Sequence, residues 1–143
     1  DSKEYVEWMT ASRQVNWAAA GVGAVYNAAR LYRQDFGELP TDVDELEEME
    51  YFRFLPPVLN WWSFSLTEVQ PLVLTIKAES TSEMVLGEGM VLEFDSLTGL
   101  LNGSGYEYLS PWVEALFPNI RHSWLGYVGG ARIGHERFTP LCN

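Results

Sequence analysis

One stripe of apolar residues constrains this chain more than any other feature. Trp8, Ala11, Val15, Ala18, Val22, Val25, Ala29, Tyr32 and Phe36 follow one another in steps of three and four. That spacing keeps them on one face of an α-helix. Phe36-Gly37 ends the helix, because glycine takes the left-handed conformation needed just past a helix end, and Leu39-Pro40 stops it continuing. Thr41 is placed to cap a second helix over Asp42-Val43-Asp44, with Val43, Leu46 and Met49 as its inner face. A helix over residues 3–36 would run roughly 50 Å at ~1.5 Å per residue, so part of it projects or is covered only in an assembly. Gly21 and Gly23 each weaken it by about 1 kcal/mol relative to alanine. Close packing against Ala18-Ala19-Ala20-Gly21 is one use for them; a tolerated weak spot is the other.

The middle of the chain changes period. Pro56-Pro57 within the connection Tyr51–Asn60 favours an extended path. Trp61-Trp62-Ser63-Phe64-Ser65-Leu66 then alternates, as a half-buried strand does. So does Leu72–Glu79, with Leu72, Leu74, Ile76 and Ala78 facing in. Met84-Val85-Leu86 is a third candidate, Met90–Asp95 a fourth with Met90, Leu92 and Phe94 inward, and Leu100-Leu101 begins a last short strand. Asn102-Gly103-Ser104-Gly105 reads as a loop. Sequential strands with short connections favour an antiparallel meander. Its apolar face needs a cover, and the first helix has the matching stripe. Ser110-Pro111 signals a further helix, with Trp112, Ala115 and Leu116 on its apolar side. Residues 119–143 show no clear period, and their charge reverses, with Arg121, Arg132 and Arg137 against Glu136.

Composition narrows the function classes. At 143 residues, 47% apolar and 20% charged, the chain is a single globular domain in size and content. Its net charge of −11 argues against a nucleic-acid partner. Asp35, Glu38, Asp42, Asp44, Glu45, Glu47, Glu48 and Glu50 share one window with no base, either as a solvated helix face or as a docking or ion-attracting surface. No run approaches the ~18–20 apolar residues of a membrane span. Asp1 follows no initiator methionine, so a natural start is expected to have been removed.

Chemistry-bearing motifs are sparse. His122, His135 and Cys142 are the only soft metal ligands, and their spacing matches no zinc motif. The lone Cys142 allows no intrachain disulfide. No nucleophile elbow, P-loop or zincin pattern occurs, and nothing places two carboxylates in a shared apolar cleft. No catalytic residue, metal or cofactor is therefore assigned. Trp61 and Trp62 are adjacent, so a strand would send them to opposite faces. One goes to the core; the other is covered by the tail or offers a platform for a ligand or subunit.

With these elements in order, the run Ala28–Leu46, which contains Tyr32, Asp35-Phe36-Gly37-Glu38-Leu39-Pro40-Thr41 and Leu46, resembles the type IV pilin and type II secretion pseudopilin pattern. There a long helix ends at an aromatic residue and glycine, followed by a leucine-proline pair and a short "sleeper" helix. Asn60-Trp61-Trp62-Ser63-Phe64 is similar to that family's tryptophan-containing lead into its sheet. Leu92–Gly99 is similar to its late strand and Thr-Gly turn. The likeness covers about residues 15–105.

The resemblance implies an α+β, pilin-like fold. A helix spine over 1–36 and a loop with a short acidic helix over 37–60 precede a four-stranded antiparallel sheet over 61–105 and a variable region over 106–143. It also implies a filament subunit whose partners are homologous subunits. An assembly platform and a prepilin peptidase would act on a full-length precursor anchored in the bacterial inner membrane, with this domain on the periplasmic or extracellular side. Ala18, Gly21, Gly23, Asp42, Asp44, Glu45, Glu48, Arg121, Arg132 and Arg137 are the expected subunit contacts, the acidic and basic sets being complementary. Two features depart from the family: Cys142 cannot close a C-terminal disulfide loop, and the segment after Gly99 is too poor in Asp for the calcium loop of major pseudopilins. The alternative from another class is a secreted ligand- or surface-binding module using Trp61, Trp62 and the tail.

Overall fold

A computed structural model of the chain describes residues 2–111. The expectations placed on Trp112, Ala115, Leu116, Arg121, His122, Arg132, His135, Arg137 and Cys142 lie outside the described residues. Helix α1 (Ser2–Phe36) is followed by α2 (Val43–Glu48) and α3 (Pro56–Trp61). Strands β1 (Trp62–Gln70), β2 (Val73–Ser80), β3 (Val91–Asp95) and β4 (Leu100–Gly103) come next, then a 3-10 turn at Tyr106–Tyr108. The architecture is α+β: a long N-terminal helix against a four-stranded antiparallel sheet.

The sheet is a meander in the order β1-β2-β3-β4. Its register puts Leu66, Ile76, Phe94 and Leu101 in one row across all four strands. A second row holds Phe64, Ala78, Leu92 and Gly103. Leu74, Ile76, Ala78, Leu92, Phe94 and Leu101 are fully buried, each large aliphatic or aromatic one contributing about 1.5–3 kcal/mol relative to exposure. Against them α1 lays Val15, Ala18, Val22, Val25, Tyr26 and Ala29, and Tyr26 meets Phe94 edge-on at 4.9 Å. The α1 stripe therefore does what its spacing required. Its two ends differ, since Trp8 and Phe36 are both about half exposed, at 52% and 51%.

Gly37 and Gly103 each occupy a position that requires glycine. Gly37 has φ +76 just past α1, and its N–H donates to Arg33 O at 2.8 Å. Gly103 has φ +128, and a β-carbon there would stand 2.0 Å from Val91 O. That close approach lets the next N–H, of Ser104, donate to Val91 O at 2.8 Å.

Several local expectations are corrected. Pro56-Pro57 does not extend the chain but opens α3 at its first two positions. The missing N–H groups have no intrahelical acceptor in a first turn anyway. Trp61 is therefore the last residue of a helix, and β1 begins at Trp62. Met84-Val85-Leu86 forms turns rather than a strand; Gly87 N–H donates to Met84 O at 2.9 Å, closing one, while the Met84 side chain is buried. Asn102 and Gly103 belong to β4 rather than to a loop. The second helix is capped one residue later than expected, by Asp42. It ends before Met49, which is exposed instead of facing in.

Candidate interaction surfaces

The acidic window divides into carboxylates that build structure and carboxylates that face water. Asp42 Oδ1 accepts the Glu45 N–H at 2.8 Å, and Glu45 Oε1 accepts the Thr41 N–H at 2.8 Å. This reciprocal pair holds the start of α2, where negative charge also suits the helix dipole. Asp35 accepts the Tyr51 hydroxyl, and Tyr51 packs edge-on to Tyr32 at 5.7 Å. The hydrogen bond to Asp35, then burial and the Asp35 charge, push the Tyr51 hydroxyl up to about 12. Burial, then the Glu45 and Glu38 carboxylates, raise Tyr32 as well. Asp44 and Glu48 are exposed. Of the four nominated acids, Asp42 and Glu45 are engaged in capping while Asp44 and Glu48 point outward.

Ala18, Gly21 and Gly23 are buried within this fold. Ala18 belongs to the core beneath the sheet. Gly21 admits the Phe64 ring: a β-carbon at Gly21 would come within 2.7 Å of Phe64 Cζ. Close packing, one of the two readings of the α1 glycines, is thus intramolecular at Gly21. Beside it lies an apolar groove of about 370 Å³, between Trp17, Ala20 and Ala24 on one side and Phe54, Leu55 and Val58 on the other.

The two adjacent tryptophans are not on opposite faces of one strand. Trp62 is 1% exposed and its Nε1–H donates to Gln14 O at 2.9 Å, tying the start of the sheet to α1. It has no surface to offer as a platform. Trp61, half-buried, meets Trp17 edge-on at 5.6 Å, so its cover includes α1.

The other end of α1 was less legible. Tyr5, Val6, Trp8 and Met9 are all at least half exposed. Just beyond them α1 buries two amide side chains, Gln14 and Asn16. Gln14 Oε1 accepts the Val85 N–H at 2.9 Å. Asn16 Nδ2 donates to Tyr108 O at 3.1 Å, and Asn16 Oδ1 accepts the Ser110 N–H at 2.8 Å. Ser12 Oγ also donates to Tyr108 O, at 2.9 Å. The turn at 84–86 and the 3-10 turn are thus fastened to the helix, satisfying backbone groups that strand pairing leaves over. Trp8 packs on Tyr108, ring centroids 6.4 Å apart. Glu4, Glu7, Trp8, Ala11, Leu86 and Tyr108 line an open hollow of about 210 Å³ there. The sequence held one signal for this: Gln14 and Asn16 flank Val15 on the buried helix, where amides need partners.

No family model matches the chain, and neither a curated protein nor a solved structure matches it. Among the described residues, no helix is long and apolar enough to cross a membrane.

Proposed function

We propose that the chain is a structural subunit, a pilin, minor pilin or pseudopilin, of a type IV pilus or type II secretion filament, and that it acts by subunit packing. The observation that supports this reading best is the division of α1. Between Ala11 and Tyr32 its stripe is buried, whereas Ser2–Met9 are all exposed and include Tyr5, Val6, Trp8 and Met9. Apolar side chains left at least half exposed at a helix end, among the described residues, suit packing against other helices. The glycine-ended spine, the Leu39-Pro40 junction, the capped acidic helix and the meander are compatible with the pilin-like order of elements. Asp44 and Glu48, which face outward, are the acids left to meet basic groups on a neighbour, with Arg121, Arg132 and Arg137 as candidates. On this reading the domain lies on the periplasmic or extracellular side, on a membrane-anchored precursor processed by a prepilin peptidase and driven by an assembly platform.

The test is to express the complete gene product in its own host with Cys142→Ser, Val6→Cys and Glu48→Cys, then oxidise. A ladder of disulfide-linked multimers that sediments with sheared surface or periplasmic filaments supports the reading. A monomer that never enters a sedimenting fraction overturns it.

A further inference from the structure

We infer that the hollow at the exposed end of α1 binds a cationic side chain, arginine in preference to lysine, presented by a basic segment of a partner protein. The hollow combines two kinds of wall. Glu4 and Glu7 are three residues apart on one helix face, so both carboxylates serve the same space. Trp8 and Tyr108 supply two aromatic rings, tilted 43° to each other. A cation within ~6 Å of a ring centroid is attracted to the ring face, and a planar guanidinium can stack on a ring while its N–H groups pair with a carboxylate. An aliphatic stem has Ala11 and Leu86 to lie against.

The walls are held in place before any ligand arrives. Tyr108 is fixed through its carbonyl by Ser12 and Asn16, and the turn carrying Leu86 is fixed by Gln14. Buried amides spent on anchoring two surface turns make sense where those turns must keep one position. The electrostatic setting favours the same ligand. The flanking segments add Glu88 and Glu107, both exposed, while Lys3 and Arg13 are the bases nearest along α1. This inference does not depend on the filament reading; the occupant is an arginine-bearing basic segment, recognised by its guanidinium.

The experiment titrates the isotope-labelled chain with a capped Gly-Arg-Arg-Gly peptide, with lysine and glutamate versions as comparisons. Binding is followed by NMR at the Trp8 indole N–H, assigned with Trp8→Phe. The arginine peptide should shift the Trp8 indole and the Leu86 and Tyr108 amides saturably, the lysine peptide more weakly, and the glutamate peptide not at all. Glu4→Gln with Glu7→Gln should weaken arginine binding by about tenfold or more with an unchanged melting temperature, since both residues are exposed. Trp8→Ala should weaken it too, with both carboxylates still present. An absent or non-saturating shift, wild-type affinity in the double glutamine variant, or equal shifts across amides 42–50 would each overturn the inference. The last outcome would mean general attraction to acidic surface.

Discussion

The Phe64 ring occupies the space that a side chain on Gly21 would take, its Cζ only 2.7 Å from where a β-carbon would stand. Phe64 cannot swing away freely, because it stacks on Phe54 at 4.4 Å. Gly21→Ala gains about 1 kcal/mol of helix propensity but incurs about 1–3 kcal/mol of overpacking. The expected net result is a loss of about 1 kcal/mol, read from the denaturant midpoint. Phe64→Leu in the Gly21→Ala background should recover part of that loss by making room, a non-additivity expected only of touching residues.

Gly103 is the stricter case. Alanine there would meet the Val91 carbonyl, a backbone atom that cannot give way, and would also hold an unfavourable positive φ. Gly103→Ala should cost about 3 kcal/mol or more and should expose the β3 and β4 amides to hydrogen exchange ahead of those of β1 and β2.

Removing the Asn16 amide should loosen one end of the molecule rather than the whole. Asn16→Ala leaves the Ser110 N–H without its acceptor, while Tyr108 O keeps Ser12 Oγ. A cost of about 1–3 kcal/mol follows from the unpaired group. Exchange protection of the Ser110 amide should fall first, with the β2 amides unchanged.

Tyr51 sets an alkaline limit on stability. Its folded-state value of about 12 lies above the ordinary 10.0. The raised value means that the folded state holds the proton more tightly, so the stabilisation is complete below pH 10 and is lost as pH rises towards 12. The denaturant midpoint should be flat with respect to this residue from neutral pH to about 9.5 and should fall above it. Tyr51→Phe should remove that part of the fall, and tyrosinate absorbance should show one late-titrating group fewer.

Much of the fold was legible because it rests on period. The α1 stripe from Ala11 to Tyr32, the alternation of Leu74, Ile76 and Ala78, and the pair Leu92 and Phe94 each repeat at the spacing their element demands, and all are buried. What period does not encode was misread. Pro56-Pro57 fits a helical first turn as well as an extended path, and local period does not decide between them. Met84-Val85-Leu86 has strand-like composition but forms turns, so Met84 is buried, Leu86 packs half-buried against the core and Val85 is exposed. The surfaces were legible least. Gly21 looked available because the stripe predicts one covered face, whereas Phe54 and Phe64 close over the helix from another side; Ala18 is on the stripe itself and lies in the core. The hollow at Trp8 joins residues 4–11 to 86 and 108, which no local pattern connects.

The exposure of the first two turns of α1 has a consequence for how sequences related to this one would diverge. Tyr5, Val6 and Met9 contribute little to the buried core, so exchanging them for other residues that favour a helix should move folding stability by no more than about 0.5 kcal/mol. Selection for a stable domain is therefore nearly silent at these positions. Val22, Ile76 and Phe94, at 0% exposure in one core, are instead tied to one another, so a change at one of them should restrict what the others tolerate.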